Sequence, residues 1–294
     1  MNRSLIGLLS GLAAASIWGG MYVVSKVVLE VIPPFTLLSL RLILGIATLG
    51  IVILLQRKAA LTKQQLRASF YVGIVGYGIS LAFQFIGTKL STASNGALVT
   101  SATPAFVLLF APFLLGEKTT GRRIIALIIS SLGVIAVIDP RTADFTSSLF
   151  LGNLSLIAAA LTWALYSVLV RKVAKNADLL ITSMVMFVGG LPTSILFSIF
   201  EINNLGIGEI TIGIIGGILF LGIISTALAM FLWNYAFAEI PAAAASLTFF
   251  AQPVVGTFLG WLFLGELITP LFIVGGILIG VGLVISSSEK SSSQ

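Results

Sequence analysis

The sequence contains neither cysteine nor histidine, and it carries few charged side chains. Without cysteine there are no disulfides and no thiol chemistry, and without histidine there is no imidazole proton relay. The two absences also remove the commonest ligands of transition metals. Only 9% of the residues are charged and 58% are hydrophobic, whereas about a quarter of the residues in a soluble domain are charged. The composition therefore predicts an integral membrane protein, and we expect neither a metal nor a cofactor.

The basic residues lie mostly in short loops between apolar runs, although the formal net charge of the chain is +6. Basic residues placed in this way are typical of membrane topology signals rather than of a surface that binds nucleic acid. We therefore expect the lipid bilayer as a partner and no nucleic acid.

The apolar runs have the length of membrane spans. A helix needs roughly 20 apolar residues to cross the hydrocarbon core of a bilayer. Ten such segments can be drawn, at 5–28, 35–55, 69–88, 94–115, 123–138, 151–170, 180–200, 210–234, 243–264 and 270–287. The sequence thus predicts an all-α integral membrane protein with ten transmembrane helices, and no loop is long enough to hold a soluble catalytic domain.

The distribution of basic residues predicts the orientation. If the N-terminus is cytoplasmic, twelve Lys and Arg residues lie on the cytoplasmic side and two lie on the other side. This bias is the one that the positive-inside rule expects. We therefore predict a multi-pass protein of the cell membrane with both termini cytoplasmic, residues 287–294 forming a short tail.

The two halves of the chain repeat each other. Three residues recur 145 positions later and two motifs recur 149 positions later: Gly7, Trp18 and Lys26 match Gly152, Trp163 and Arg171, and Pro104 and Gly116-Glu117 match Pro253 and Gly265-Glu266. Because an odd number of spans separates the repeats, the second half must enter the membrane upside down, which is a recurrent transporter design. We therefore predict two inverted five-helix repeats, 5–138 and 151–286, around a central cavity.

Some of these motifs also resemble a known family. Trp18-Gly19 in the first span, with Thr103-Pro104 and Gly116-Glu117 in the fourth, is similar to the drug/metabolite transporter superfamily and to its EamA-like branch. The resemblance implies ten helices around a central cavity, alternating access, and export of amino acids or other small metabolites. The second half departs from the pattern, with Trp163-Ala164 and Gln252-Pro253 at the matching positions.

The first span carries an aromatic and basic stripe. Trp18, Tyr22 and Lys26 are spaced four residues apart and share one helix face. Trp163 occupies the position of Trp18 in the second half. Tryptophan is more common at the membrane interface than at mid-bilayer, so an aromatic wall that contacts substrate is one interpretation, and ordinary helix packing is the other.

Two cations lie inside predicted spans, Lys26 and Arg41. Ionisable residues within spans are functional candidates, and Arg41 has no charged equivalent because Met186 occupies its position in the second half. A cation here would hold a carboxylate or phosphate. The alternative is that Lys26 pairs with Glu30 while Arg41 extends outward to the interface.

The uncharged polar residues of the central spans are further candidates for the substrate cavity. They are Tyr77, Gln84, Asn95, Asn234, Thr248 and Gln252. Such hydrogen-bonding groups suit a zwitterionic or neutral polar substrate, but they also join helices to one another in membranes.

Two prolines are candidate hinges. Pro104 and Pro253 fall near the middle of equivalent predicted spans. A proline inside a helix frees the carbonyl four residues earlier, here that of Thr100 or Phe249. Freed carbonyls in a membrane tend to line cavities, whereas a static kink is the other interpretation.

We therefore expect a secondary transporter that exports small metabolites such as amino acids or their analogues by alternating access. A broad-specificity drug translocator, a lipid or nucleotide-sugar translocator, and a non-transporting membrane subunit stay open as alternatives. An enzyme is not expected, because no cluster of acids and no nucleophile with a base is visible. The small residues Gly276 and Gly280 make the last span the expected contact of a homodimer.

Overall fold

The computed structural model describes residues 3–56, 61–116, 121–138, 147–174, 177–240, 242, 245 and 248–287. Within these residues all regular secondary structure is helical. The helices are α1 (Arg3–Val28), α2 (Pro34–Gln56), α3 (Lys63–Leu90), α4 (Ala93–Thr100), α5 (Thr103–Leu115), α6 (Gly121–Ile138), α7 (Ser148–Ala174), α8 (Leu179–Leu205), α9 (Ile212–Glu239), α10 (Ala251–Leu264) and α11 (Pro270–Ser287). The predicted tail lies outside the described residues from position 288 onward.

Several helices begin at polar caps that the sequence supplies. Thr62 and Gln65 form a reciprocal capping box at the start of α3. Asp178 accepts hydrogen bonds from the Leu180 and Ile181 N–H groups at the start of α8. α3 therefore begins inside the predicted 56–68 connection, and it extends the predicted span 69–88 at both ends.

The helices have the dimensions of membrane spans. Among the described residues, seven are long and apolar enough to cross a bilayer: α1, α2, α3, α4 together with α5, α7, α8 and α9. α10 and most of α11 are shorter apolar helices. The prediction of an all-helical membrane protein is confirmed, whereas the count of ten spans stays a prediction.

The fourth span is broken rather than kinked. α4 ends at Thr100 and α5 begins at Thr103, so Pro104 lies in the first turn of α5, where proline removes no helical hydrogen bond. The prediction of one continuous helix over 94–115 with Pro104 near its middle was therefore wrong. In the second half, a 3₁₀ turn precedes α10, and Pro253 is the third residue of that helix.

The third span of each half contains a π-helical segment. Residues Ile74–Ser80 of α3 and Phe220–Leu228 of α9 are wound in this way. The widened turn is bridged in α9 by the Thr226 hydroxyl, which donates to the Leu221 carbonyl at 2.7 Å. Such segments are rare and concentrate at functional sites, so their recurrence draws attention to the region between α3 and α9.

The main helix contacts join the first half of the chain to the second. α1 packs against α9 and α10, while α7, its sequence equivalent, packs against α3, α4 and α5. α2 packs against α8, and α6 packs against α11. α11 packs one face against α6 of the same chain while Ile273, Ile277 and Val284 on α11 stay exposed, and the homodimer stays a prediction.

The approach of α3 to α8 is very close. A Cβ atom on Gly73 would lie 2.0 Å from the Met186 carbonyl oxygen, and one on Gly189 would lie 2.2 Å from the Phe70 carbonyl oxygen. Only glycine fits at these two positions, because backbone atoms of one helix occupy the space of a side chain on the other.

Candidate functional site

A central cavity lies where α1, α3, α4, α5, α7, α9 and α10 meet. Its volume is about 20 Å³, which is room for about one or two water molecules. Five of the predicted cavity residues line it: Trp18, Tyr22, Gln84, Trp163 and Gln252. Residues that the repeat and the polar pattern indicated therefore surround this small cavity.

Further lining residues were not singled out for the cavity in advance. They are Met21, Ser80, Leu81, Thr100, Thr103, Ala159, Met230 and Phe249. For Thr100 and Phe249 a signal existed, since they are the residues four positions before the two prolines. For Met21, next to Tyr22 in an apolar run, no signal existed, because a methionine in a membrane helix usually serves packing.

The wall of the cavity is aromatic, and it is built from both halves. The rings of Trp18 and Trp163, which occupy equivalent positions in the repeat, meet edge to face with their centroids 5.7 Å apart. Trp18 also contacts Phe249 at 5.8 Å and Trp233 at 5.3 Å. The contact between Trp18 and Trp163 is edge to face and the other two are tilted, so the wall presents both π-faces and ring edges.

A chain of neutral hydrogen bonds centres on Thr100. Its hydroxyl donates to the Gly96 carbonyl at 2.6 Å. The same oxygen accepts from the Tyr22 hydroxyl at 2.7 Å and from the Gln252 amide at 2.7 Å. The Gln84 amide in turn donates to the Tyr22 hydroxyl at 2.5 Å. The network thus joins α1, α3, α4 and α10 at the end of a broken helix.

The two equivalent tryptophans differ in their indole N–H groups. That of Trp18 donates to the Ser225 carbonyl in the π segment of α9 at 3.0 Å. That of Trp163 is buried and has no hydrogen-bond partner among the described residues. Because Trp163 is only 7% exposed and lines the cavity, a buried donor without an acceptor lies at the cavity wall.

Arg41 lies in the interior, behind the cavity wall. Its side chain is 0% exposed, so the expectation that it extends to the interface was wrong. The guanidinium donates to the Thr226 hydroxyl at 2.7 Å and to the Ser225 hydroxyl at 3.4 Å. It also lies 3.5 Å from the Met21 sulfur and 5.0 Å above the ring of Phe85. The π segment of α9 thus supplies the two hydroxyls that hold it.

A second polar cluster lies beside the cavity but does not line it. The hydroxyls of Tyr77 and Tyr166 are 2.5 Å apart, and Tyr166 donates to the Asn234 side-chain oxygen at 2.9 Å. The Asn234 amide donates to the Ser183 hydroxyl at 2.9 Å. The structure therefore places the predicted residues Tyr77 and Asn234 in a satisfied network that joins α3, α7, α8 and α9.

Lys26 lies at the end of the bundle and caps a helix. Its ammonium group donates to the backbone carbonyls of Thr88, Lys89 and Ser91 at the end of α3. The equivalent Arg171 donates to the Ile240 carbonyl at the end of α9, 3.1 Å away. Cations at helix C-termini are favoured by the exposed carbonyls, so the two basic residues hold equivalent helix ends, and Lys26 lies outside the cavity.

Glu266 closes the same end of the bundle as Lys26. Its carboxylate accepts from the Ala93 N–H at 2.6 Å, from the Ser94 N–H at 2.8 Å and from the Ser94 hydroxyl. It therefore caps the N-terminus of α4. Asn95 is the next residue of α4, and its amide donates to Asn153 of α7 at 3.2 Å. Asn95 thus belongs to this closure, and Glu117, the equivalent of Glu266, lies outside the described residues.

The remaining predicted site residues lie outside the cavity lining. The Thr248 hydroxyl donates to the Ala245 carbonyl at 2.7 Å, and Thr248 packs on Gly11 of α1. The Thr100 carbonyl, predicted to be free before Pro104, accepts from the Thr103 hydroxyl at 2.6 Å. Pro253 is buried in the first turn of α10. In the part of the chain that the structure describes, no three Asp or Glu side chains come together as metal ligands.

Comparisons with known proteins find chains that are similar to this one. The family model of the EamA-like transporter family matches residues 5–138 and 150–288. The uncharacterized transporter YoaV of Bacillus subtilis is 27% identical, over 98% of this chain and 97% of YoaV. An uncharacterized transporter of Archaeoglobus fulgidus is 28% identical, over 91% of this chain and 94% of its own.

The fold also has a solved counterpart. A crystal structure of another protein matches with a TM-score of 0.71 and 24% sequence identity, over 97% of this chain and 98% of that one. At this identity the match shows the shared fold alone. The family match over nearly the whole chain carries further: the protein belongs to the EamA-like transporter family, and it is a multi-pass membrane transporter rather than an enzyme.

Proposed function

We propose that the protein is a secondary transporter that exports small polar metabolites, amino acids and their analogues foremost, across the cell membrane by alternating access. The observation that carries the proposal is the cavity itself. It is central, and Trp18 and Trp163 contribute equivalent side chains to its wall from opposite halves. Substrate sites of secondary transporters lie between repeats near the bilayer midplane.

Two inverted repeats are the second part of the proposal, with 5–138 and 151–286 as the repeated units and both termini in the cytoplasm. The helix contacts between the halves, the paired π segments, the helix break before Pro104 and the 3₁₀ turn before Pro253 support this arrangement. Halves related by an axis in the membrane plane rock against each other around a fixed site. In this mechanism Pro104 and Pro253 would act as hinges, because Pro104 follows a helix break and Pro253 follows a 3₁₀ turn.

The closures at the two ends support alternating access. Lys26 and Glu266 tie α1, α3, α4 and the α10–α11 connection together at one end. Arg171 ties α7 to the end of α9 at the other. In the proposed mechanism each set of contacts breaks when its end of the cavity opens, and both sets are present in this structure.

The chemistry of the cavity supports the substrate class. Its lining combines aromatic rings with hydroxyls and amides and includes no carboxylate among the described residues. Rings of Trp and Phe attract an ammonium group through their faces, and neutral hydrogen bonders accept polar side chains. A small zwitterion is the substrate that uses both features.

The experiment is counterflow of labelled L-amino acids, sugars and nucleosides into liposomes that contain the purified protein. We expect counterflow of one or more amino acids, and its loss in Trp18→Ala. Trp261→Ala is the matched control, because Trp261 is 54% exposed on α10 and does not line the cavity. Counterflow of sugars or nucleosides alone would refute the substrate class, and equal effects of the two variants would refute the cavity as the site.

A further inference from the structure

Arg41 is a buried cation without a counter-ion in the described structure. Its guanidinium meets two hydroxyls, a thioether and an aromatic ring, and no carboxylate of the described residues lies within 4 Å of it. Removing a charge from water is unfavourable unless an opposite charge and hydrogen bonds replace the solvent. Arginine stays charged in proteins, so this site holds a positive charge that only hydroxyl dipoles and a ring face stabilise.

One side chain separates this charge from the cavity. The Met21 sulfur lies 3.5 Å from the Arg41 Nη1 atom, and Met21 lines the cavity on its other side. The rest of the guanidinium is held from behind by Thr226 and Phe85. Methionine is unbranched and has three rotatable bonds. A rotamer change of Met21 would therefore alter what lies between the guanidinium and the cavity.

A second buried donor belongs to a residue of the cavity lining. The indole N–H of Trp163 is fully buried and lacks an acceptor among the described residues, so a ligand reaches it only when the surrounding side chains move. Buried polar groups are normally hydrogen-bonded. A guanidinium group and an indole N–H without an acceptor together favour a ligand with a negative charge and at least two acceptor oxygens. A carboxylate has both features.

In the second half of the chain, the positions equivalent to Arg41 and Met21 also hold a donor and a thioether, but in the opposite order. Met186 stands at the position of Arg41, and its sulfur lies 3.7 Å from the hydroxyl of Tyr166, which stands at the position of Met21. Each half thus places one thioether against one donor, but only the first half has a charged donor. A ligand carboxylate would therefore bind on the side of the first repeat alone.

We propose that Arg41 binds the carboxylate of the transported metabolite, and that Met21 covers Arg41 while the cavity is empty. This inference rests on the proposed function, because it names the group by which that same cavity recognises its substrate. It gives the substrate an orientation, with the carboxylate toward α2 and the rest of the molecule along the tryptophan wall.

The test compares acids with their amides. Binding of L-leucine, L-phenylalanine and L-threonine and of their C-terminal amides is measured by tryptophan fluorescence on the purified full-length protein. We expect wild-type protein to bind acids about 10- to 100-fold more tightly than amides, since a hydrogen-bonded charge pair has this effect. In Arg41→Met the acid-to-amide ratio falls to about one, whereas Arg41→Lys retains part of the preference.

Two further variants distinguish the covering role of Met21 from the effect of the Arg41 charge. Met21→Ala is expected to speed association of the acids while leaving the amides unchanged. Met186→Leu is the control for altering a buried methionine at the equivalent position, and it leaves the acid-to-amide ratio unchanged. Arg41→Met installs the residue that the second half carries at this position, which favours a folded variant.

The outcomes distinguish this inference from the proposed function. If wild-type protein binds acids and amides equally, the carboxylate site is wrong while the transport of amino-acid-like metabolites stands. If it binds neither, both are wrong. If Arg41→Met does not fold, the wild-type ratio and Arg41→Lys still decide, because a purely structural cation would leave the acid-to-amide ratio at one in both proteins.

Discussion

Glu266→Gln is expected to open one end of the cavity. The carboxylate of Glu266 holds two backbone N–H groups and one hydroxyl at the N-terminus of α4, residues Ala93 and Ser94. The glutamine amide is nearly the same size, but it offers one acceptor oxygen, and its NH₂ group faces an N–H donor. At least one hydrogen bond and the whole charge at the helix N-terminus are therefore lost.

The expected size of the effect follows from these contacts. A hydrogen bond to a charged group contributes about 1.5–3 kcal/mol, and the lower end applies because Glu266 is only partly buried. About 1.5 kcal/mol corresponds to roughly a ten-fold change in an equilibrium constant. Since Glu266 joins the α10–α11 connection to α4, this change falls on the equilibrium between the closed and open forms of that end.

The absence of cysteine in the chain makes a direct assay available. A single thiol introduced as Ala159→Cys lies on the cavity lining and is buried in the closed form. Its rate of modification by a charged, membrane-impermeant methanethiosulfonate reports how often the cavity is open. We expect Glu266→Gln to raise this rate about ten-fold, by the estimate above, from the membrane face on which Glu266 lies. Glu209→Gln, an exposed loop residue, is the control.

Two results would refute the reasoning. An unchanged rate in Glu266→Gln, with the variant folded, would mean that this cap does not hold the end closed. A rate raised equally from both membrane faces would mean that the substitution loosens the whole bundle rather than one gate.

Two stability predictions follow from matched pairs, both measured by thermal unfolding of the purified protein in detergent. Trp18→Phe removes a hydrogen-bonded indole N–H and is expected to lower the free energy of unfolding by about 1 kcal/mol. Both substitutions also remove ring volume from a packed interior, but Trp163→Phe removes an unpartnered N–H, so its loss is expected to be about 1 kcal/mol smaller than that of Trp18→Phe, and equal losses would contradict the difference between the two. Gly73→Ala would place a Cβ 2.0 Å from the Met186 carbonyl oxygen and is expected to destabilise by about 1–3 kcal/mol or more. Gly216→Ala, with open space around its Cβ position, is expected to be neutral, and a neutral Gly73→Ala would show that α3 and α8 are not that close.

Some of the cavity residues could be predicted from the sequence because the two halves of the chain repeat each other. Trp18 and Trp163 stand 145 positions apart, and the structure brings their rings into contact across the cavity. In the proposed inverted repeat, equivalent residues would meet near the axis that relates the two halves, and the contact between the two tryptophans fits this arrangement. Gln84 and Gln252 were found by a weaker signal, polarity in central spans, which also selected Asn234 and Thr248, residues that do not line the cavity.

The helix breaks were harder to predict than the helices. Pro104 lies in an apolar run long enough for one span, and nothing in the run indicates that α4 ends at Thr100. The helix ends where the Ser101 hydroxyl donates to the Leu98 carbonyl and the Thr103 hydroxyl donates to the Thr100 carbonyl. Such local hydrogen bonds compete with the helical ones, and they win here because the chain turns into the polar network around Thr100.

The sequence by itself determined the membrane class, the family, the approximate spans and the equivalence of the two halves, because hydrophobic length and repetition are properties of the chain alone. Only the tertiary structure decided which partner each polar side chain has. Arg41 meets Thr226 185 residues away, and Glu266 meets Ser94 172 residues away. A helical period tells which face a residue is on, but not which of many faces lies opposite. That choice is made when the helices pack, and it turned Lys26 into a helix cap and left Arg41 as a buried charge beside the cavity.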